Sequence, residues 1–179
     1  DDIRACNEVF SAGNMPYIVM ATLARLLLEG NPWQGGGDLG HVTSPVPAMP
    51  KPPLIEAHHA SHDLAALYDE LREVLGLPVV NTDYRAFARW PSYFALAWND
   101  LKPRLSEARY TTSIECVHNA AVELAVSLPN TTGITPHALR DAATSDASLE
   151  EVLSVVRLFQ WLLPGLAVNV AFLRSQLQP

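Results

Sequence analysis

The chain has 179 residues, of which 49 % are hydrophobic and 17 % charged, with a formal net charge of −7. That is one domain's length and enough apolar material for a real core, which excludes a disordered chain. The acidic balance argues against nucleic acid, whose phosphates call for clustered Lys and Arg. The two cysteines, Cys6 and Cys116, lie too far apart for a CxxC redox pair or a Cys-rich metal site, and they read as reduced thiols of a cytoplasmic protein. Asp1-Asp2 does not open a signal peptide, and no uninterrupted apolar stretch reads as long enough to span a bilayer. The start reads as mid-helix, as in an N-terminally truncated chain.

In chain order, residues 1–11 have helical spacing (Ile3, Cys6, Val9, Phe10), and Gly13-Asn14 is expected to break that helix. Pro16 suits the first turn of a second helix, apolar on most sides and therefore buried, ending at Glu29-Gly30. Residues 31–57 carry Gly35-Gly36-Gly37 and six of the 14 prolines, and read as a long surface linker. Leu64, Leu67, Tyr68, Leu71, Val74 and Leu75 give a helix ending at Gly76.

Pro91 opens another helix, which stops before Pro103. A long helix follows over about 105–128, with Tyr110, Ile114, Val117, Ala121, Leu124 and Leu128 inward. Thr135-Pro136 caps and starts a short one, and Ser148…Glu151 is a capping box for the last helix. That helix reaches about Leu177, with a kink or break at Pro164-Gly165. No run alternates with period two for long enough to be a strand, so the fold class is all-α. Phe10…Met15-Pro16…Ile18-Val19 and Leu158…Leu163-Pro164…Leu166-Ala167 share a helix–proline–helix pattern. The expected organisation is two pseudo-repeats: residues 1–30 end the first, 31–57 link, and 58–179 form the second.

The stretch from Leu77 to Pro91 is where a carboxylate interrupts an apolar run among aromatics and arginines. Thr82 or Asp83 suits a helix N-cap. Asp83 also suits a general base, because Val79, Val80, Phe87 and Trp90 would desolvate it and raise its pKa, while nearby helix N–H groups would favour its ionised form. Asn14 either ends a helix or presents an amide to a site, and Asn81 and Thr82 face the same choice between turn chemistry and pocket lining. Arg85 and Arg89 read as charges neutralising nearby acids, and the aromatics Phe87, Trp90, Phe94, Trp98, Phe159 and Trp161 as core. His58, His59 and His62 lack the HExxH pattern, and no metal site is assigned.

Val79-Val80-Asn81-Thr82-Asp83-Tyr84-Arg85-Ala86-Phe87-Ala88-Arg89-Trp90-Pro91, followed by Tyr93…Trp98…Lys102-Pro103, resembles the group I 2-haloacid dehalogenases. These act on D- or on both D- and L-2-haloacids. The resemblance extends to Ile3–Gly30 and to the helix around Phe159. It implies an all-α two-repeat fold with the active site between the repeats, and no cofactor. It implies Asp83 as the base that activates a water for in-line displacement of halide with inversion, and Asn14 as the residue that positions this water. Asn81, Thr82, Tyr84, Trp90 and Phe159 are implied as substrate-binding, with Thr82 at the substrate carboxylate. Asn81 is implied to favour the D-enantiomer, and Phe159 stands where a relative has Tyr. The partners implied are a short 2-haloacid and water, with a homodimer possible. The alternative is a non-catalytic helical module, or relic, that binds small carboxylates in an apolar pocket.

Overall fold

The computed structural model describes residues 1–36 and 51–177, and these are about three quarters helical with no strand among them. Seven α-helices follow in order: α1 (Asp2–Leu28), α2 (His62–Leu75), α3 (Thr82–Phe87), α4 (Pro91–Leu101), α5 (Ala108–Ser127), α6 (Pro136–Ala143) and α7 (Leu149–Gln176). Most of the Pro/Gly-rich linker lies outside the described residues. Two compact units are discontinuous in sequence. The first comprises Asp1–Ala12, Ala48–Thr111 and Val168–Pro179, and the second Gly13–Pro47 and Thr112–Ala167.

Local signals placed most helix ends correctly. Ser61 caps α2 by accepting from the Leu64 N–H, and Gly76 ends it with φ 64°, a left-handed value that costs glycine nothing. Pro91 occupies the first turn of α4. Thr135 caps α6 through the Ala138 N–H. Ser148 and Glu151 form the reciprocal capping box: the Ser148 N–H donates to Glu151 Oε2 at 2.9 Å, and the Glu151 N–H to Ser148 Oγ at 3.2 Å.

The two expected breaks do not occur. α1 runs through Gly13-Asn14 and Pro16 without interruption, and α7 runs through Pro164-Gly165. A proline inside a helix forfeits one backbone hydrogen bond and crowds the preceding turn, at a cost of about 3 kcal/mol. Apolar burial on both sides of each proline exceeds that cost: Phe10, Ile18 and Val19 in α1, and Leu163, Leu166, Val170 and Leu173 in α7, are all buried. Because α7 is unbroken, it is long and apolar enough by length and composition to cross a membrane, contrary to the expectation that no stretch would be. Its Gln160 and Asn169 are buried and hydrogen-bonded to side chains of other helices.

In the first unit, the core is aromatic. Phe87 lies 6.0 Å from Phe10 and 6.5 Å from Phe94, and the Tyr84 ring is 6.1 Å from that of Phe94. Trp98 is buried and donates its indole N–H to Glu70 at 3.0 Å, tying α4 to α2. Lys102 pairs with the same carboxylate, and these two bonds hold Glu70 below the usual carboxylate range.

The second unit is closed by polar contacts around an apolar interior. Gln160 on α7 donates to the buried Thr22 hydroxyl on α1 at 3.2 Å and accepts from Arg25. Glu29 accepts from Arg157 at 2.8 Å, and Arg140 donates to the Leu28 carbonyl at 2.8 Å. On α5 Ala121 is buried, as expected of the inward face, together with Ala125, whereas Leu124, expected on that face, is exposed. Small alanines let α5 pack closely and leave Leu124 outside. Phe159 and Trp161, expected in the core, are 48 % and 59 % exposed.

Pro16 is exposed and lies mid-helix, so it carries the interior penalty with no packing in return. Pro16→Ala is therefore expected to stabilise the chain by about 2 kcal/mol, read as a rise in the urea midpoint at unchanged m-value. A proline in the first turn of a separate helix would give no such gain.

Candidate active site

α3 is only six residues long, and Asn81 occupies its N-cap position without a side-chain cap bond. Neither Thr82 nor Asp83 is the cap, because the helix begins at Thr82 and Asp83 is its second residue. The local capping reading of Asp83 is thus overturned: the N-cap position belongs to Asn81. It lies in the first turn and is buried, with 4 % of its surface exposed.

Several contacts hold α3 in place. The Ile55 N–H donates to the Arg85 carbonyl at 3.0 Å. Arg85 pairs with Glu56 at 2.6 Å and donates to Thr82 Oγ1 at 3.3 Å. This guanidinium is neutralised, as its sequence neighbourhood suggested. Because the Thr82 hydroxyl accepts from a cation, its own proton is free to donate outward. Thr82 is exposed and can make that bond. Arg89 lies over the Trp90 ring at 4.7 Å, which covers one ring face with the guanidinium.

Asn81 Oδ1 is buried and has no hydrogen-bond partner among the described residues. An unpaired buried acceptor costs about 1–3 kcal/mol, so this oxygen favours an incoming donor. Tyr84 faces inward. Its ring is buried, its hydroxyl accepts from Asn169 Nδ2 at 2.8 Å, and burial pushes its pKa well above the ordinary tyrosine value. It supports α3 from behind.

Cys6, on α1 in the same unit, is buried and free. Burial pushes its thiol from the ordinary 9.0 up to about 11, with the Asp83 charge adding to the effect and the Arg89 guanidinium opposing it. The carboxylate is therefore felt within the apolar wall that Cys6 helps to build.

The first unit thus brings together Asn81, Thr82, Asp83, Tyr84 and Trp90. Asn14 and Phe159 belong to the second unit. Asn14 is buried on α1, and Phe159 is half exposed on α7. The second unit also has an open cleft of about 510 Å³ lined by α5 and α7, with Ile114, His118, Arg157, Gln160 and Trp161 on its walls. Its Arg157 and Gln160 are already bonded to Glu29 and Thr22, so the cleft offers little uncommitted polarity. Reading the sequence for sites passed over Asn7 and Asn169, both buried. The signal was present: each is an isolated amide on an otherwise apolar helical face.

No family model matches the chain. It is 34 % identical to an (R)-2-haloacid dehalogenase of Pseudomonas putida over 181 residues, covering 97 % of this chain and 60 % of the relative. It is 39 % identical to an (R)-2-haloacid dehalogenase of Rhizobium sp. (strain NHG3) over 130 residues, or 72 % of this chain and 51 % of the relative. Among solved structures it resembles a D-2-haloacid dehalogenase mutant in complex with D-2-CPA, with a TM-score of 0.87 at 31 % identity. It also resembles a D-2-haloacid dehalogenase in complex with L-LA, with a TM-score of 0.87 at 33 % identity. In both cases the match covers 99 % of this chain and 62 % of the other. The chain thus spans 51 to 62 % of the length of these relatives.

The two thiols should differ sharply in native chain. At pH 8 an aromatic disulfide reagent is expected to titrate the exposed Cys116 rapidly and Cys6 only after denaturation. Because the folded pKa of Cys6 is raised, its contribution to stability is complete below pH 9 and is lost as pH rises through about 11. Cys6→Ala should flatten the fall of the thermal midpoint across that window, apart from a constant offset for the lost side chain.

Proposed function

We propose that the chain, which is similar to D-type 2-haloacid dehalogenases over nearly its whole length, belongs to that family and hydrolyses short-chain 2-haloalkanoic acids to 2-hydroxy acids, acting on D-substrates by preference or on both enantiomers. The observation that carries this reading is a buried carboxylate, Asp83, two residues after a buried amide oxygen, Asn81 Oδ1, that has no partner among the described residues.

A water between two acceptors has both protons engaged and a lone pair left to attack. Asp83 takes one proton as general base, and Asn81 Oδ1 is suited to hold the other. As the C–O bond forms at the α-carbon, the C–halogen bond breaks on the opposite side. The halide leaves with the bonding pair, the proton passes to Asp83, and the configuration inverts. Thr82 donates to the substrate carboxylate. Trp90 provides apolar surface for the halogen-bearing end, Tyr84 backs the turn that carries Asp83, and the family resemblance implies Phe159 as a further substrate contact. The family resemblance gives Asn14 the task of holding the water. None of these steps calls on a group outside the chain, the substrate and water. We further propose a cytoplasmic setting, and the exposed Val155 and Trp161 of α7 suit a homodimer contact.

The purified chain is expected to release chloride from D-2-chloropropionate and to form the L-hydroxy acid. Asp83→Asn should lower kcat by at least about 10²-fold while leaving the helical circular dichroism unchanged. Single turnover in ¹⁸O-water should put label directly into product. Unlabelled oxygen in the first turnover would make Asp83 a nucleophile instead, and full activity of Asp83→Asn would remove it from the mechanism. The exposure of Phe159 favours, as a second reading, a module that binds 2-haloacids without turnover. Thermal stabilisation by the substrate with no halide released would select that reading.

A further inference from the structure

Asn169 lies on α7 within the first unit and is 1 % exposed. The phenol of Tyr110, near the start of α5, can place its proton only on an acceptor. It donates to Asn169 Oδ1 at 2.9 Å. That fixes the amide so that Nδ2 faces Tyr84, to whose hydroxyl it donates at 2.8 Å. Next along the helix, the Val170 carbonyl accepts from Asn7 Nδ2 at 3.1 Å, which anchors the same turn of α7 to α1.

α3 needs such an outside anchor. Six residues without a side-chain cap are too few to be stable as a helix, so tertiary contacts set its direction. The packing of Phe87 and of the Tyr84 ring is apolar and tolerates sliding. The Ile55 and Arg85 bonds tie α3 only to the segment just ahead of α2. The Tyr84–Asn169 bond is directional, buried, and made by the residue next to Asp83.

We propose that Asn169 is a positioning residue, which clamps Tyr84 and thereby aims the Asp83 carboxylate. The catalytic half of this proposal rests on the dehalogenase reading, whereas the clamp itself does not.

Two variants test it against a control. Tyr84→Phe removes the hydroxyl but keeps the ring against Phe94, and Asn169→Ala removes the amide. Tyr93→Phe is the control, since Tyr93 also bonds to α7, at the Leu173 carbonyl, but lies on α4. Tyr84→Phe and Asn169→Ala are expected to lower kcat by about 10- to 100-fold, the scale set by a small misplacement of a reacting group, with KM within twofold. The double variant should be no slower than the slower single one, and Tyr93→Phe should retain wild-type kcat.

Hydrogen exchange at the Arg85 and Ala88 amides, which bond to the Asn81 and Tyr84 carbonyls, provides a readout without substrate. Their protection should fall at least about tenfold in Tyr84→Phe and stay unchanged in Tyr93→Phe. Unchanged protection in Tyr84→Phe would overturn the clamp. Lost protection with wild-type kcat would overturn its role in aiming Asp83. If the wild-type chain released no halide, the dehalogenase reading and the catalytic half would fall together, while the exchange result would still decide the clamp.

Discussion

A six-residue helix does not hold a carboxylate in one place by its own hydrogen bonds, and the organisation of the first unit follows from that constraint. Asp83 sits in such a helix. The other residues of this helix are held from elsewhere in the sequence: by Ile55 and Glu56 from the segment before α2, Phe10 from α1, Phe94 from α4, and Asn169 from α7. The chain ties down α3 with partners up to 85 residues away along the sequence. The outcome is a buried carboxylate next to an anchored aromatic core, an arrangement that suits the base proposed above.

The same logic explains why α1 and α7 tolerate internal prolines. Both helices contribute residues to each of the two compact units, and both bear buried polar side chains: Asn7 and Thr22 on α1, Gln160 and Asn169 on α7. In an apolar interior each of these amides and hydroxyls needs a partner in a defined register. Thr22 meets Gln160, Asn7 meets the Val170 carbonyl, and Asn169 meets Tyr84 and Tyr110. A helix broken at Pro16 or Pro164 would have to restore that register across a flexible joint. The continuous helix accepts one missing hydrogen bond per proline and keeps the register.

What could be read from the sequence follows the range of the forces involved. Caps and stops depend on a few neighbouring residues, so Ser148…Glu151, Thr135-Pro136, Pro91 and Gly76 were legible one residue at a time. The continuity of α1 and α7 was not, because the apolar burial that outweighs each proline comes from residues distant in sequence. One position on α5 failed for a related reason. Apolar periodicity placed Leu124 inward beside Ala121, whereas close helix packing selects the smaller Ala125. For the candidate site, the motif around Asp83 drew attention to a stretch whose carboxylate is buried, but local capping rules placed the N-cap one or two residues too late. Asn169 escaped notice because its partners, Tyr84 and Tyr110, lie 85 and 59 residues away.

Burial of Asp83 also bears on the choice between water activation and nucleophilic attack. A carboxylate that forms an ester with the α-carbon must itself reach the reacting centre and then admit a water to its own carbonyl. A base need only touch the water. Asp83 is 4 % exposed, its neighbour Tyr84 is anchored in the interior, and Cys6 beside it is shielded enough to keep a thiol protonated up to about pH 11. A carboxylate enclosed in this way has less room to advance on a substrate than an exposed one, whereas the proposed base need reach only a water. The unpaired oxygen of Asn81 offers that water a second acceptor on the same short helix start. On the proposed function, enclosure of the carboxylate together with an open acceptor two residues away suits a single displacement better than an ester.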